Sequence, residues 1–354
     1  MAAVSERQPE PVTAGKQRGR SRIRRHDERS QWLRRTFQWT FLLLNLWIGA
    51  EFYLFVRYWE TGGATPFVPR PAGVEGWLPI AGLMNLKAWI VTGRVPAVHP
   101  AAAVLLAAFL IVSWLFRKSF CSWLCPIGTL SEHLWRLGRR LFGRNFALPR
   151  ALDIPLRSLK YLLLGFFLWA IAGMSAAAIE AFMRSPYGLI ADVKMLNFFR
   201  HLSATAAIVL TVLLALSLLV QNFWCRYLCP YGALVGLAAL LSPLRIRRDP
   251  AACIDCAKCA RVCPACLPVD RLVEIRSAEC TGCLECVAVC PVAGALELSA
   301  PRRVRVPAWV MAAGIALVFV GLTAWAQFSG HWRTDLPPQI YRDLIPRAHE
   351  FTHP

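Results

Sequence analysis

The sequence predicts a membrane all-α protein of about five transmembrane helices, with a small cysteine-rich α+β module inserted late in the chain. Three observations predict it: long apolar stretches, basic charge that alternates with those stretches, and cysteines gathered in short regular runs. The 354 residues are 56% hydrophobic and carry a formal net charge of +19. A chain of that composition treats a bilayer as part of its solvent.

Stretches near the length of about 20 residues that a spanning helix needs lie at 37–57, 99–116, 159–177, 203–222 and 306–327. A sixth, "WLPIAGLMNLKAWIV" (77–91), is short, contains Pro79 and carries Lys87, and reads as interfacial or re-entrant. Residues 1–35 hold ten Lys or Arg, 117–158 eight and 223–305 eleven, against four in 57–98 and three in 178–202. Short cytoplasmic loops carry the excess of positive charge. The alternation therefore places the N-terminus and the cysteine-rich module on the cytoplasmic side of the membrane and the C-terminal tail outside. Because the charges flank spans, they argue against a nucleic-acid partner. No small-residue cleavage site follows the first apolar run, which reads as an anchor. "TLSEHLWRLGRRLF" (129–142) sets leucines against arginines at helical spacing and reads as a helix on the inner membrane surface. The expected division is a basic arm at 1–35, a four-span membrane domain at 36–242, the module at 243–300, a fifth helix at 301–328 and an extracytoplasmic tail at 329–354.

Spacing decides what the module's cysteines do. "CIDCAKCARVCP" places Cys253, Cys256, Cys259 and Cys263 in the run C-x2-C-x2-C-x3-C-P, and "CTGCLECVAVCP" repeats it with Cys280, Cys283, Cys286 and Cys290. This is the bacterial ferredoxin pattern for two [4Fe-4S] clusters, in which the fourth cysteine of each run serves the other run's cluster. One cluster would use Cys253, Cys256, Cys259 and Cys290, the other Cys280, Cys283, Cys286 and Cys263. Three thiolates within seven residues let one tight loop wrap three corners of a cuboidal cluster, and Pro264 and Pro291 then turn the chain away. Paired C-x2-C units also build zinc sites, but two complete four-cysteine runs favour iron and sulfur. The reducing cytoplasm keeps such thiols unpaired. Cys266, in "CPACLP", belongs to neither run and reads as a buried spectator.

A second pattern appears twice. "FCSWLCPIGTL" (120–130) and "FWCRYLCPYGAL" (223–234) each close a span with Cys-x3-Cys-Pro-x-Gly. If helical, Cys121 with Cys125, and Cys225 with Cys229, lie on one face a turn apart. The Pro and Gly that follow read as a helix end and a turn. Two such ends side by side would bring four thiols together, able to hold a soft metal ion such as copper, an iron-sulfur centre or a thiol-disulfide pair. The plainer reading is close helix packing on small cysteines. His99 and His201 start the second and fourth spans in repeat-related positions; they read as interfacial histidines, against a quinol or haem site. His331, His349 and His353 read as solvated. No G-x-G-x-x-G or Walker-type loop appears, so redox equivalents are expected from quinol, a partner protein or a soluble carrier at the basic face rather than from nicotinamide or ATP.

With these motifs the chain resembles the membrane-bound polyferredoxins of the NapH, NosR and CcoG (RdxA/FixG) group, most closely its short, YccM-like members. The two Cys-x3-Cys-Pro span ends, the tandem cysteine runs and the span after them carry the resemblance, along with "RPAGVEGWLPIAGLMNLKAWIVTG", "HPAA" and "SGHW". It covers the chain from about residue 37. It implies electron transfer between the quinone pool, cytoplasmic iron-sulfur centres and extracytoplasmic or respiratory redox partners. The CcoG branch implies copper reduction during assembly of a metalloenzyme, and a redox-sensing role is a third implication. NosR-type flavin and CcoG-type β-domains have no counterpart here, and "TGGAT" (61–65) reads as a glycine turn.

Overall fold

The structure is a computed structural model that describes residues 30–146 and 148–353; of the expected basic arm only residues 30–35 fall within it. In chain order the helices are α1 (Ser30–Glu60), α2 (Pro79–Thr92), α3 (Pro100–Leu115), α4 (Pro126–Phe142), α5 (Arg150–Gly173), α6 (Ala176–Arg184), α7 (Pro186–Leu189), α8 (Ala191–Arg200), α9 (Ala204–Leu219) and α10 (Pro230–Leu240). Strand β1 (Arg245–Arg248), α11 (Lys258–Val262), α12 (Glu285–Ala288) and β2 (Leu296–Ser299) follow, then α13 (Ala308–Phe328) and α14 (Pro338–Leu344).

Helices α1, α5 and α13 are long and apolar enough to cross a membrane, and α8 with α9, bent by 80°, makes a fourth if the pair is one span. Helix α3 has 16 residues, about 24 Å at 1.5 Å per residue, short of a hydrocarbon core of about 30 Å. After it the chain turns at Arg117, whose φ is 63°, and Phe120 packs back on Phe109 with ring centroids 4.1 Å apart. Helix α2, 14 residues long, packs along α3: a Cβ on Gly82 would lie 2.8 Å from the Ala102 carbonyl oxygen, and Asn85 Nδ2 donates to the Val98 and His99 carbonyls at 2.8 and 3.0 Å. Lys87, the charge that marked this stretch, donates to the carbonyls of Ile171 and Ala172 at 2.8 and 2.9 Å. It thus satisfies the orphan carbonyls at the end of α5.

The antiparallel pair β1 and β2, in register Arg245 to Ser299 through Arg248 to Leu296, ties the two ends of the module together. The module does not pack as a separate body. One hydrophobic core runs from Leu105, Phe109 and Val112 of α3 through Trp123, Met311 and Ile315 into Ile246, Ile275, Leu284 and Leu298 of the module.

Buried charge fastens each end of the bundle. At the module end, Arg34 of α1 is fully buried; it donates to both Glu132 oxygens of α4 at 2.6 and 2.8 Å and to Glu285 of α12 at 2.7 Å. One guanidinium, whose planar fork suits carboxylates, thus joins three elements. At the opposite end Arg70 pairs with Glu75 at 2.8 Å and Asp192 at 2.7 Å, and Thr334 of the tail donates to Glu75 at 2.6 Å. The tail folds back through Tyr341, Ile345 and Ala348 onto Phe52, Phe55 and Val56 of α1.

Candidate metal centres

The module's two cysteine runs fold alike. Asp255 and Ala257 in the first, and Gly282 and Leu284 in the second, take positive φ of 55°, 54°, 63° and 60°, at matching offsets from Cys253 and Cys280. Left-handed residues between ordinary ones curl a loop into a nest of inward N–H groups, a concavity suited to an anion and common at iron-sulfur sites. Cys253, Cys256, Cys259 and Cys290 line one small cavity. Cys263, Cys280, Cys283 and Cys286 line another. Backbone N–H groups of Leu267 and Ala265 bond to the Cys263 sulfur, and that of Glu285 to Cys283. Four thiols and backbone donors around a concavity fit the all-cysteine ligation of a [4Fe-4S] cluster. Cys286 is within electrostatic reach of Cys259, so the two sets adjoin. Cys266 lines neither cavity; contrary to the buried spectator expected, it is exposed, and its thiol donates to Gln221 Oε1 at 3.0 Å.

The Cys-Pro repeats depart from the expected geometry in two ways. Phe120–Leu124 and Trp224–Leu228 are single π turns, closed by Cys125 N–H to Phe120 O at 2.9 Å and Cys229 N–H to Trp224 O at 3.0 Å, so the pairs are not one α-helical turn apart. Such turns are frequent at functional sites. Nor does Cys-Pro-x-Gly end a helix; it begins one. Cys125 and Cys229 cap α4 and α10 with Pro126 and Pro230 in the first turn, and their sulfurs accept from the Gly128 and Gly232 N–H groups at 3.4 and 3.2 Å. Proline in the first turn lacks an N–H where none is needed, so this signal was present in the sequence.

All four thiols line one cavity of about 610 Å³, and each lies within electrostatic reach of the other three. Burial pushes the Cys121 thiol up to about 11 and Cys225 up to about 12. Lys118, 3% exposed, lines the cavity too. Its nearest carboxylate is Glu279, at 3.9 Å. Glu279 also accepts from Lys160 Nζ at 2.6 Å and from the Tyr161 hydroxyl at 2.9 Å. Burial opposes its ionisation, but the two lysines outweigh that and hold its carboxyl below the usual range. Sequence reasoning missed this charged group because its members lie far apart along the chain.

Cavity and module share a wall. Pro264, Ala265 and Thr281 line both the Cys-Pro cavity and the cavity of the second cysteine set. Across it, Ser122 Oγ donates to Thr281 O at 2.6 Å and Trp123 Nε1 to Gly282 O at 3.2 Å. The histidines behave differently from one another. His99 is buried: its Nε2 lies 2.9 Å from Gly188 O and its Nδ1 3.3 Å from Arg70. His201 is exposed at the end of α8, so the repeat-related pair forms no common site. In the tail, His331 Nδ1 lies 2.6 Å from Ser329 Oγ, and His353 packs against Tyr187.

YccM of Escherichia coli (strain K12) is 50% identical over 326 residues, covering 90% of this chain and 91% of YccM. The chain belongs to the YccM-like membrane polyferredoxins. NapH of Haemophilus influenzae shares 31% identity with this polyferredoxin over 173 residues, 47% of the chain and 55% of NapH. NosR of Pseudomonas aeruginosa shares 34% over 153 residues, 42% of the chain and 20% of NosR. The 4Fe-4S dicluster domain family matches residues 245–295 of the polyferredoxin, which contain the eight module cysteines. The 4Fe-4S binding domain family matches twice, at 98–145 and 202–248. No solved structure matches.

Proposed function

We propose that this polyferredoxin is an inner-membrane electron-transfer protein relaying electrons between the quinone pool, or a cytoplasmic donor, and a respiratory or extracytoplasmic redox partner. The common wall of Pro264, Ala265 and Thr281 is the observation that carries the proposal. It sets the second cysteine set of the module directly against the thiols at the membrane.

Cys253, Cys256, Cys259 and Cys290 hold one [4Fe-4S] cluster and Cys263, Cys280, Cys283 and Cys286 the other; when bound, these supply reversible one-electron chemistry. The chain's own residues give the arrangement a direction in space. Cys253 and Cys256 are part-exposed beside exposed Ile254, whereas Cys283 and Cys286 are buried against α1 and the first π turn. The first set therefore faces a soluble partner and the second faces the membrane. The Cys-Pro cavity is walled by Ile48, Trp77, Leu105, Phe319 and Trp332 beyond the thiols. Its volume lies in the range of about 300–1,000 Å³ usual for small-molecule sites, and its apolar walls suit a lipid-soluble quinone. The alternation of basic segments supports five spans, with the N-terminus and module cytoplasmic and the tail outside. The relative YccM bears the description electron transport protein, which agrees with this reading.

Iron, zinc and acid-labile sulfide analysis of anaerobically purified protein, with EPR after dithionite and after a short-chain quinol, tests it. The expected result is no fewer than about eight irons, the content of two [4Fe-4S] clusters, with two interacting signals. Zinc in place of iron, without sulfide, overturns the reading.

A further inference from the structure

We infer that Cys121, Cys125, Cys225 and Cys229 together hold one further [4Fe-4S] cluster, shared between the two Cys-Pro repeats and matched in charge by Lys118 and Lys160. The inference rests on the electron-transfer reading and gives the Cys-Pro cavity its occupant.

Ligand arithmetic comes first. The two matches to the 4Fe-4S binding domain, 98–145 and 202–248, contain one cysteine pair each, Cys121 with Cys125 and Cys225 with Cys229. A [4Fe-4S] cluster takes four thiolates. Neither half of the repeat suffices, and the fold supplies what each half lacks by opening both pairs onto one cavity. The sulfur of the second cysteine in each pair accepts a backbone N–H, from Gly128 and from Gly232, as the module's sulfurs do.

Spacing comes second. Among the described residues no three Cys, His, Asp or Glu side chains converge closely enough to hold a single ion. That holds equally for the eight module cysteines. Corner irons keep the sulfurs around a cluster farther apart than one tetrahedral ion does, so neither set of thiols is drawn in as tightly as a single-ion site requires.

Charge comes third. Lys118 and Lys160 are 3% and 0% exposed and share one carboxylate, Glu279. Lys118 makes no hydrogen bond to any described residue, lines the cavity, and has Cys121, Cys229 and Cys225 within electrostatic reach. A buried cation short of a partner is costly. Neutral thiols would leave it so, whereas a cluster bound by four thiolates is an anion and supplies the missing counter-charge.

The test is iron and acid-labile sulfide content, with copper and zinc, of the full chain purified anaerobically, beside the Cys125→Ala/Cys229→Ala double variant. The expected result is about twelve irons in the wild type and about eight in the variant, at four per cluster, with one EPR signal lost. About eight irons in both, with or without copper or zinc bound at the repeats, overturns this inference and leaves the electron-transfer reading standing. Zinc with no sulfide anywhere overturns both. If the double variant fails to fold, the wild-type count alone decides between twelve and eight. Lys118→Gln should retain the iron and shift the third centre to lower potential, because removing a cation favours the less negative, oxidised form; Lys118→Arg should restore it. An unshifted potential in Lys118→Gln overturns the charge-matching role.

Discussion

A methyl group added at Gly128 would sit 2.1 Å from the Cys121 carbonyl oxygen, whereas at Gly232 the nearest atom is the Cys229 sulfur at 3.5 Å. Gly128→Ala is therefore expected to destabilise by about 1–3 kcal/mol, the usual cost of overpacking, and Gly232→Ala by much less, as read in thermal melts of the detergent-solubilised protein. The cross-over of the fourth cysteines is tested by pairing variants. Cys290→Ala with Cys253→Ala should lose only the iron that either loses alone, while Cys290→Ala with Cys280→Ala should lose twice as much. Equal losses from both pairings would contradict the cross-over. The cysteine runs were legible because three ligands in seven residues are a local property of the chain. The π turns were not: Cys-x3-Cys is compatible with both α and π turns, and only the carbonyl that Cys125 N–H chooses separates them.

Among elements, Arg34 is the fully buried cation at the joint between α1, α4 and the module. Truncating Arg34 leaves Glu132 and Glu285 with the partly exposed Arg136 as their shared cation among the described residues, and loss of the fully buried partner costs up to about 3–5 kcal/mol. Arg34→Met is expected to lower the melting temperature and raise hydrogen exchange in both α4 and α12; a change confined to α4 would contradict a three-way joint. At the opposite end, burial resists ionisation of Glu75, but Arg70, His99 and Thr334 outweigh it and hold its carboxyl down at about 2, from 4.5. A depressed carboxyl contributes stability that is complete above its unfolded value and is lost as pH falls. Unfolding should therefore become easier from about pH 4.5 down towards 2, and Glu75→Gln should flatten that part of the profile. Neither joint showed in the sequence, since Arg34 and Glu285 are separated by 251 residues and no periodicity links them. Lys87 was legible as an anomaly in an apolar stretch, though its role as a cap on α5 needed the fold.

Across the whole molecule, apolar stretches marked the long helices α1, α5 and α13 because hydropathy is additive along the chain. The shared core between bundle and module was not legible: hydropathy assigns each segment an environment but not a neighbour. In the proposed relay the Cys-Pro site lies between the membrane and the module. Its most direct test is the anaerobic rate at which a short-chain quinol reduces the module's clusters, followed by EPR in vesicles, for wild type and for Cys125→Ala/Cys229→Ala with its module iron intact. A rate at least about 100-fold lower in the variant, equivalent to roughly 2.7 kcal/mol in the barrier, is the predicted result. An unchanged rate would place the membrane's electrons on another route and contradict the account.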